Sequence, residues 1–226
     1  MVDPLAQAAG SSTTWVLSNH DVVRHATRWA KHGTSVEDVA KQAGALLLAF
    51  EGSICLWEGE ELGQTDTPLD FEELTDPRGI RFWPEDKGRD GCRTPMPWDD
   101  TAQAGFTTGQ PWLPIAESHR AHSVAAQAGD PASTLNATRN FLRWRKTQPA
   151  LMWGDIAFVD APEPVLAFTR NLDGERRLVV FNLSAEPVSW PLPPGLTALA
   201  LDAPGVNAAR LDGGQVQLPA HGALFA

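Results

Sequence analysis

Two groups of polar residues each follow a short apolar run, and their side chains are of the kinds that carry out acid–base and nucleophilic chemistry. The first group follows the run at residues 15–17 and comprises Asn19, His20, Asp21 and Arg24. The second follows the run at residues 53–57 and comprises Glu58, Glu60 and Glu61. In a parallel α/β barrel the reactive groups lie at the C-terminal ends of the strands, so both groups are candidates for a functional site.

Carboxylates at two strand ends are typical of enzymes that cleave glycosidic bonds, in which one Asp or Glu is nucleophilic or basic and the other is protonated. Asp21 and Glu60 are the simplest pair of this kind. A structural interpretation stays open for both groups. Residues 19–21 also suit an Asx turn that caps the following helix, and Glu60 and Glu61 also suit a polar exit from a strand.

A third group lies in the loop at residues 87–99, where two arginines and two acids flank a glycine turn. These residues are Arg89, Asp90, Arg93 and Asp99. The fork of arginine donors binds carboxylates or hydroxyls, although a surface loop held by salt bridges has the same composition. Four tryptophans near this loop suit either an apolar wall for a sugar ring or simple loop packing. They are Trp57, Trp83, Trp98 and Trp112.

The spacing of apolar residues predicts a strand, a helix and a second strand in the first 57 residues. The helix begins after Ser35, where Ser-Val-Glu-Asp is similar to a capping box, and its apolar positions continue to Phe50. Strand, helix and strand in this order indicate a βαβ unit, whose connection requires a parallel sheet. Residues 64–129 show little periodicity, and structureless loops of such length are usually functional.

A second helix is predicted with Asp130 as its N-cap and Pro131 at its first position, ending near Pro149. From residue 154 the pattern changes to short β-rich runs separated by turns. The runs lie at residues 165–169, 177–182, 188–190 and 198–201, and the turns at Asp173-Gly174, Pro193-Pro194 and Gly213-Gly214. We therefore expect an α/β domain at residues 1–150 and an antiparallel β domain at residues 151–226.

Composition argues against several classes of function. The 226 residues carry a formal net charge of -10 with scattered Lys and Arg, which disfavours nucleic acid and favours a neutral or cationic small ligand. The longest apolar run, residues 43–50, is too short to cross a membrane, and no signal-peptide pattern is present. Cys55 and Cys92 lack metal-binding spacing, which predicts free thiols and no metal site. Free thiols in turn favour a cytoplasmic location. No cofactor is expected.

Three motifs resemble those of the α-amylase-type glycoside hydrolases. Residues 15–24 (WVLSNHDVVR) are similar to the seventh-strand motif of that family, and residues 57–63 (WEGEELG) to the exit of its eighth strand. Residues 76–99 (DPRGIRFWPEDKGRDGCRTPMPWD) resemble a signature loop of bacterial α-glucosidases and their transglucosylating relatives. The resemblance covers nearly the whole chain. It implies the C-terminal part of a TIM (β/α)8 barrel, namely its last two β/α units and closing helix, followed by an antiparallel β domain.

The resemblance also implies roles for individual residues. Asp21 is expected to be the family's third carboxylate, which stabilises the transition state by binding sugar hydroxyls, and His20 to contact the sugar in the innermost subsite. Arg89 and Arg93 are expected to lie close to that subsite. The family's nucleophilic Asp and acid Glu belong to its fourth and fifth strands, upstream of these motifs, so Asp21 and Glu60 are not expected to act as a pair. Glu58 departs from the family pattern, which has Gln there.

The expected function is that of a retaining α-glucosidase that cleaves the terminal α-glucosidic bond of maltose, sucrose or a similar small saccharide through a covalent glucosyl intermediate. The same motifs occur in α-transglucosylases and sucrose isomerases, so these alternatives stay open, as does an inactive truncated sugar-binding piece. As a C-terminal fragment without the nucleophile and general acid, the isolated chain is expected to be inactive. Open sheet edges and apolar helix faces predict poor solubility or self-association.

Overall fold

The computed structural model describes residues 13–30, 34–194 and 198–226. Residues 1–12, the start of the predicted first domain, lie outside the described residues. The described residues divide into two compact units, one formed by residues 13–15, 41–55 and 137–226 and the other by residues 16–40 and 56–136, each without the gaps given above. The predicted domain boundary near residue 150 stays a prediction.

The first elements follow the predicted order of strand, helix and strand. They are β1 (Thr14–Val16), the short α1 (His25–Trp29), α2 (Val36–Ala49) and β2 (Ser53–Cys55), and β1 and β2 are neighbours in a two-stranded sheet. The predicted cap is present, because the Ser35 hydroxyl accepts a hydrogen bond from the Asp38 amide at 3.2 Å. Acidic side chains in the first turn of α2 add favourable charge at the helix N-terminus.

The lack of periodicity at residues 64–129 predicted a structureless loop. The stretch consists instead of short helices joined by tight turns. They are α3 (Pro77–Phe82), α4 (Glu117–Ala121) and α5 (Val124–Ala128), with 3-10 turns at Phe71–Glu73 and Asp90–Arg93. Helices of one or two turns are too short to show a 3.6-residue pattern. A small apolar cluster of Leu69, Leu74, Leu113 and Trp83 packs beneath them.

The predicted helix at residues 130–149 begins later and ends earlier than the sequence indicated. Its place is taken by α6 (Thr134–Arg145) and α7 (Pro149–Trp153), so Pro149 begins a helix. Asp130 instead forms an Asx turn, accepting a hydrogen bond from the Ala132 amide at 2.9 Å. The buried Gln127 side chain accepts the Leu135 amide at 3.0 Å, which holds the first turn of α6 in place.

Residues 155–225 form the β structure that the turn spacing predicted. The strands are β3 (Asp155–Val159), β4 (Val165–Leu172), β5 (Glu175–Asn182), β6 (Val188–Pro191), β7 (Asn207–Ala208), β8 (Arg210–Asp212), β9 (Gln215–Leu218) and β10 (Gly222–Phe225). One sheet has the order β3-β4-β5-β10-β7 and the other β6-β9-β8. The strand pairs are antiparallel except β10 with β7, which is parallel.

Two turn predictions are confirmed and one strand prediction is wrong. Asp173 and Gly174, with φ of 48° and 87°, join β4 to β5, and Gly213 and Gly214 join β8 to β9. Positive φ at both central residues is the geometry of a two-residue hairpin turn. Residues 198–201 are not a strand: the Leu201 amide makes one backbone bond to the Phe225 carbonyl, and the strand beside β10 is β7, which pairs with Gly222 and Ala223.

The larger sheet is buried on both faces, and the alternation of side chains along its strands creates the two cores. Phe168, Val179 and Phe181 face a core shared with α2, α6 and α7, whereas Ala167 and Val180 face a core shared with the smaller sheet. The C-terminal carbonyls of α2 are held by arginines: Arg145 donates to Leu48 and Arg170 to Ala49, both at 2.6 Å.

Candidate active site

The loop after β1 presents His20 and Asp21 to solvent. The Asn19 side chain accepts a hydrogen bond from the Asp21 amide at 2.8 Å, so the Asx turn considered in the sequence is present. It does not remove Asp21 from the candidate site, because the Asp21 carboxylate is half exposed and the His20 ring more so. The turn uses the Asn19 side chain and the Asp21 amide, so the Asp21 carboxylate is not part of it.

The four predicted site residues lie together. Arg89 Nη1 is 2.9 Å and Arg93 Nη2 is 3.2 Å from the same oxygen of Asp21, Oδ1. The second oxygen, Oδ2, is 3.4 Å from His20 Nε2. Arg93 also donates through Nε to the His20 carbonyl at 2.7 Å, which joins the loop after β1 to the loop at residues 87–99.

This arrangement keeps Asp21 ionised. Partial burial by itself raises the pKa of Asp21, but the hydrogen bond from Arg89 and the charges of His20, Arg89 and Arg93 act in the opposite direction and lower it overall. At neutral pH the site therefore combines one carboxylate with two guanidinium groups. Such a site can accept hydrogen bonds from hydroxyl groups through Asp21 and donate others through the arginines.

Asp76, at the start of α3, holds the Arg89 guanidinium. Its Oδ2 accepts hydrogen bonds from Arg89 Nε at 2.8 Å and the Arg89 amide at 2.9 Å, and its Oδ1 accepts one from Arg89 Nη2 at 3.1 Å. These bonds hold the pKa of Asp76 well below its usual range, with the Arg89 side chain as the largest cause. The sequence motif contained Asp76 without indicating this contact, because an Asp before Pro77 suits a helix cap equally well.

Backbone contacts lock the same loop. The buried Asp90 carboxylate accepts the amides of Thr75 and Asp76 at 2.6 and 2.7 Å. The backbone at Lys87 approaches α3 so closely that a Cβ atom at Gly79, within the helix, would lie 2.5 Å from the Lys87 carbonyl oxygen. The position of Arg89 is therefore determined by two buried carboxylates and a close backbone contact.

Glu58 and Glu60, two of the carboxylates after β2, are bonded to the buried side chains of Arg24 and His25. Glu58 Oε1 lies 2.5 Å from Nη2 of the buried Arg24, and burial raises the pKa of Glu58 despite that charge. Glu60 Oε1 lies 3.1 Å from Nδ1 of the buried His25, and its Oε2 accepts the Trp57 amide at 3.1 Å. Neither side chain contacts Asp21 in the part of the chain that the structure describes.

A cavity of about 500 Å³ adjoins the His20 side of the site. Its lining is mostly aromatic and apolar and includes Trp57, Trp98, Phe106 and Trp112, together with His20 and Arg93. Three of the four tryptophans that the sequence suggested as a wall therefore lie there. Trp83 instead packs against the cluster of Leu69, Leu74 and Leu113.

Both cysteines are free thiols, as predicted. Cys92 is buried, and that burial raises its pKa to about 11, so the neutral thiol predominates at pH 7. Within residues 13–30, 34–194 and 198–226, no group of three or more His, Cys, Asp or Glu side chains is arranged to hold a metal ion. No helix in the same ranges is long and apolar enough to span a membrane.

The fold and the motifs agree with family comparisons. Residues 4–154 match the family described as alpha amylase, catalytic domain, and residues 156–224 match the family described as maltogenic amylase, C-terminal domain. The chain belongs to the α-amylase family of glycoside hydrolases and carries the family's C-terminal β domain.

Individual relatives are α-glucosidases and glucosyl-transferring enzymes. The chain is 46% identical to a probable alpha-glucosidase of Rhizobium meliloti over 94% of its own length and 38% of that protein. It is 30% identical to the oligo-1,6-glucosidase of Parageobacillus thermoglucosidasius, over 78% of the chain and 35% of that protein. The crystal structure of the alpha-glucosyl transfer enzyme XgtA superposes with a TM-score of 0.91 and 48% identity, over 99% of this chain and 42% of XgtA. The chain thus spans less than half of these relatives.

Proposed function

We propose that the Asp21 site binds the terminal glucose unit of an α-glucoside, and that the function is that of a retaining α-glucosidase acting on small saccharides such as maltose or sucrose. Asp21 stabilises the positive charge that develops on the sugar in the transition state and accepts hydrogen bonds from its hydroxyls. His20, Arg89 and Arg93 bind the same sugar unit. The first 150 residues are the last two β/α units of a TIM barrel, and residues 151–226 are its C-terminal β domain.

The proposal rests on one observation: the two oxygens of the Asp21 carboxylate have different partners. Both arginines contact Oδ1, so Oδ2 has only the longer 3.4 Å contact with His20 among the interactions described above. A sugar hydroxyl can replace that contact at low cost, because a charge-assisted hydrogen bond to an ionised carboxylate is stronger than the contact it displaces. The carboxylate is half exposed and so accessible to a ligand.

The relatives support a saccharide ligand. Trehalulose synthase MutB, whose structures superpose on this chain with 28–29% identity, has been crystallised as a mutant with glucose and as an inactive double mutant with isomaltulose. In the proposed site a glucose unit lies against Asp21 and His20, and the aromatic cavity beside His20 accommodates the rest of the substrate.

A second candidate function is the transfer of glucose to an acceptor other than water. The similarity to XgtA, at 48% identity, favours it. Hydrolysis and transfer share the residues that bind the glucose unit and differ in which acceptor reaches the glucosyl intermediate. Product analysis with a protein as long as these relatives separates the two functions. Free glucose alone indicates hydrolysis, and new disaccharides or sucrose isomers indicate transfer or isomerisation.

These 226 residues on their own are proposed to lack glucosidase activity. Glu60, which the sequence first suggested as the partner of Asp21, is bonded to His25, and Glu58 is bonded to Arg24. A retaining mechanism needs a nucleophilic carboxylate and a second carboxyl group about 5 Å from it. The exposed apolar side chains of this chain, among them Val22, Val23 and Trp29, make self-association the expected behaviour of the isolated chain. A cytoplasmic location also stays a prediction.

The test is turnover by the purified chain of maltose, sucrose and an aryl α-glucoside, measured beside Asp21→Asn. We expect no release of glucose above the background from either protein. Robust turnover that the substitution abolishes would overturn the assignment of roles and would make the Asp21 and Glu60 pair the leading candidate again.

A further inference from the structure

We propose that Asp76 is a positioning residue for the glucose site, because it restricts Arg89 to a single contact with Asp21. This inference rests on the proposed function of the Asp21 site. Asp76 is not expected to touch the sugar. Its side chain is inaccessible to solvent, whereas the Arg89 and Asp21 side chains are partly exposed.

The geometry assigns each nitrogen of the guanidinium a separate task. Nε and Nη2 of Arg89 bind the two oxygens of Asp76 at 2.8 and 3.1 Å, which is the two-point pairing that a planar guanidinium makes with a carboxylate. Nη1 is left to bind Asp21 Oδ1 at 2.9 Å. The plane of the guanidinium is thereby determined by Asp76, and a single nitrogen points to the ligand side.

The pairing of Arg89 with Asp76 determines which oxygens of Asp21 are occupied. Without Asp76, the Arg89 fork would be free to pair with both oxygens of Asp21, the arrangement that guanidinium and carboxylate groups favour. Oδ2 would then be occupied, and a sugar hydroxyl would have to displace a charged donor. With Asp76 present, Oδ2 faces His20 Nε2 at 3.4 Å and stays available.

Asp76 also has a structural role, from which the proposed role must be separated. Its Oδ1 accepts the Arg78 amide at 3.1 Å and so caps α3. Asp76→Asn is the informative variant, because the amide oxygen can still cap α3 but the charge and one acceptor are lost. Asp86→Asn is the matched control: Asp86 lies in the same loop and pairs at 2.6 Å with Arg78, not with Arg89.

Two measurements on the 15N-labelled 226-residue chain test the inference. The first is hydrogen exchange at arginine Nε, which needs no sugar. In the unsubstituted chain the Arg89 Nε–H is expected to be protected, and in Asp76→Asn this protection is expected to be lost, whereas Asp86→Asn retains it. The second is titration with glucose, followed through the His20 signals, in which Asp76→Asn is expected to bind at least about 10-fold more weakly than the unsubstituted chain and than Asp86→Asn.

The outcomes separate the two proposals. If Asp76→Asn loses the Arg89 protection but binds glucose as the unsubstituted chain does, the positioning role is wrong and the proposed function stands. If the unsubstituted chain shows no saturable glucose binding, the proposed function fails and the inference with it. If Asp76→Asn does not fold, Asp76→Ser decides: its hydroxyl can still cap α3 but cannot pair with two nitrogens of Arg89, and the same loss of Nε protection and weakening of glucose binding are expected, with equal affinity overturning the inference.

Discussion

Arg24 is completely buried and its guanidinium binds Glu58 twice, through Nη1 to the backbone carbonyl and through Nη2 to the carboxylate, where the distance is 2.5 Å. The Arg24 amide also donates to Asp66 at 2.7 Å. The resemblance to the family led us to expect Gln at position 58. A carboxylate offsets the desolvation of the buried Arg24 better than an amide would.

Removing the Glu58 carboxylate is therefore expected to destabilise the chain. We expect Glu58→Ala to lower the free energy of unfolding by about 2 kcal/mol and Glu58→Gln, which keeps an acceptor for Arg24, by about 1 kcal/mol. Urea unfolding followed by tryptophan fluorescence measures both. The control is Glu72→Ala, at an exposed acid of the long loop. Equal losses for Glu58→Ala and the control would show that the Arg24 contact contributes nothing measurable.

The stability of the chain is expected to depend on pH through His119. Its ring is buried and contacts Thr65 Oγ1 at 3.2 Å, and burial is the largest reason that its pKa is lowered to about 4, with the charges of Arg24 and His122 adding to it. Between about pH 6.5 and pH 4 the unfolded chain binds a proton at this histidine that the folded chain does not. Stability contributed by the neutral ring is therefore lost as the pH falls through this window, by up to about 3 kcal/mol.

His119→Gln tests this expectation. The variant should show a flatter dependence of unfolding free energy on pH between about 6.5 and 4 than the unsubstituted chain. His122→Gln is the comparison variant: its exposed ring bonds the Ser118 carbonyl at 2.8 Å, and its charge is the smallest of the three causes that lower the pKa of His119, so a smaller flattening is expected. An unchanged slope in His119→Gln would contradict the account.

The β structure depends on a core shared with α2. Phe168 is completely buried between Phe50 and Phe158, with ring centroids 5.5 and 5.9 Å away. Phe168→Ala should lower the free energy of unfolding by about 3–5 kcal/mol, the usual cost of deleting a buried phenyl ring. Leu199→Ala, at a side chain that is 82% exposed, should change it by less than about 0.5 kcal/mol. Thermal unfolding of the two variants compares them directly, and similar melting temperatures would show that the ring is not part of a cooperative core.

The family motifs grouped His20, Asp21, Arg89 and Arg93, which lie together in the structure, but did not indicate the contacts that hold them there. The roles of the four residues stay predictions. The hydrogen bonds between Asp76 and Arg89 join residues that are 13 positions apart in a segment without periodicity. A pattern of residue types does not report which carboxylate an arginine contacts, since Asp76, Asp86 and Asp90 are equivalent by composition.

Errors in the fold prediction arose where a distant contact decides a local choice. Asp130 and Pro131 have the residue types of a helix start, but the side chain of Gln127 binds the Leu135 amide and the helix begins at Thr134. Residues 198–201 have the composition of a strand, but only the Leu201 amide bonds the sheet in the backbone bonds described there, and β7 pairs with Gly222 and Ala223 of β10 instead. Propensity is a weak guide in both places because tertiary hydrogen bonds override it.

Carboxyl carbon NMR of the 13C-labelled chain shows whether the ionised carboxylate of Asp21 binds the glucose unit. The Asp21 signal should titrate with a pKa below the usual Asp value, and added glucose should shift that signal saturably at neutral pH. In Asp21→Asn, glucose should bind at least about 10-fold more weakly, as judged from the His20 signals. Saturable binding of equal affinity in Asp21→Asn, or an Asp21 signal that glucose leaves unmoved while the chain binds it, would show that another group binds the glucose unit.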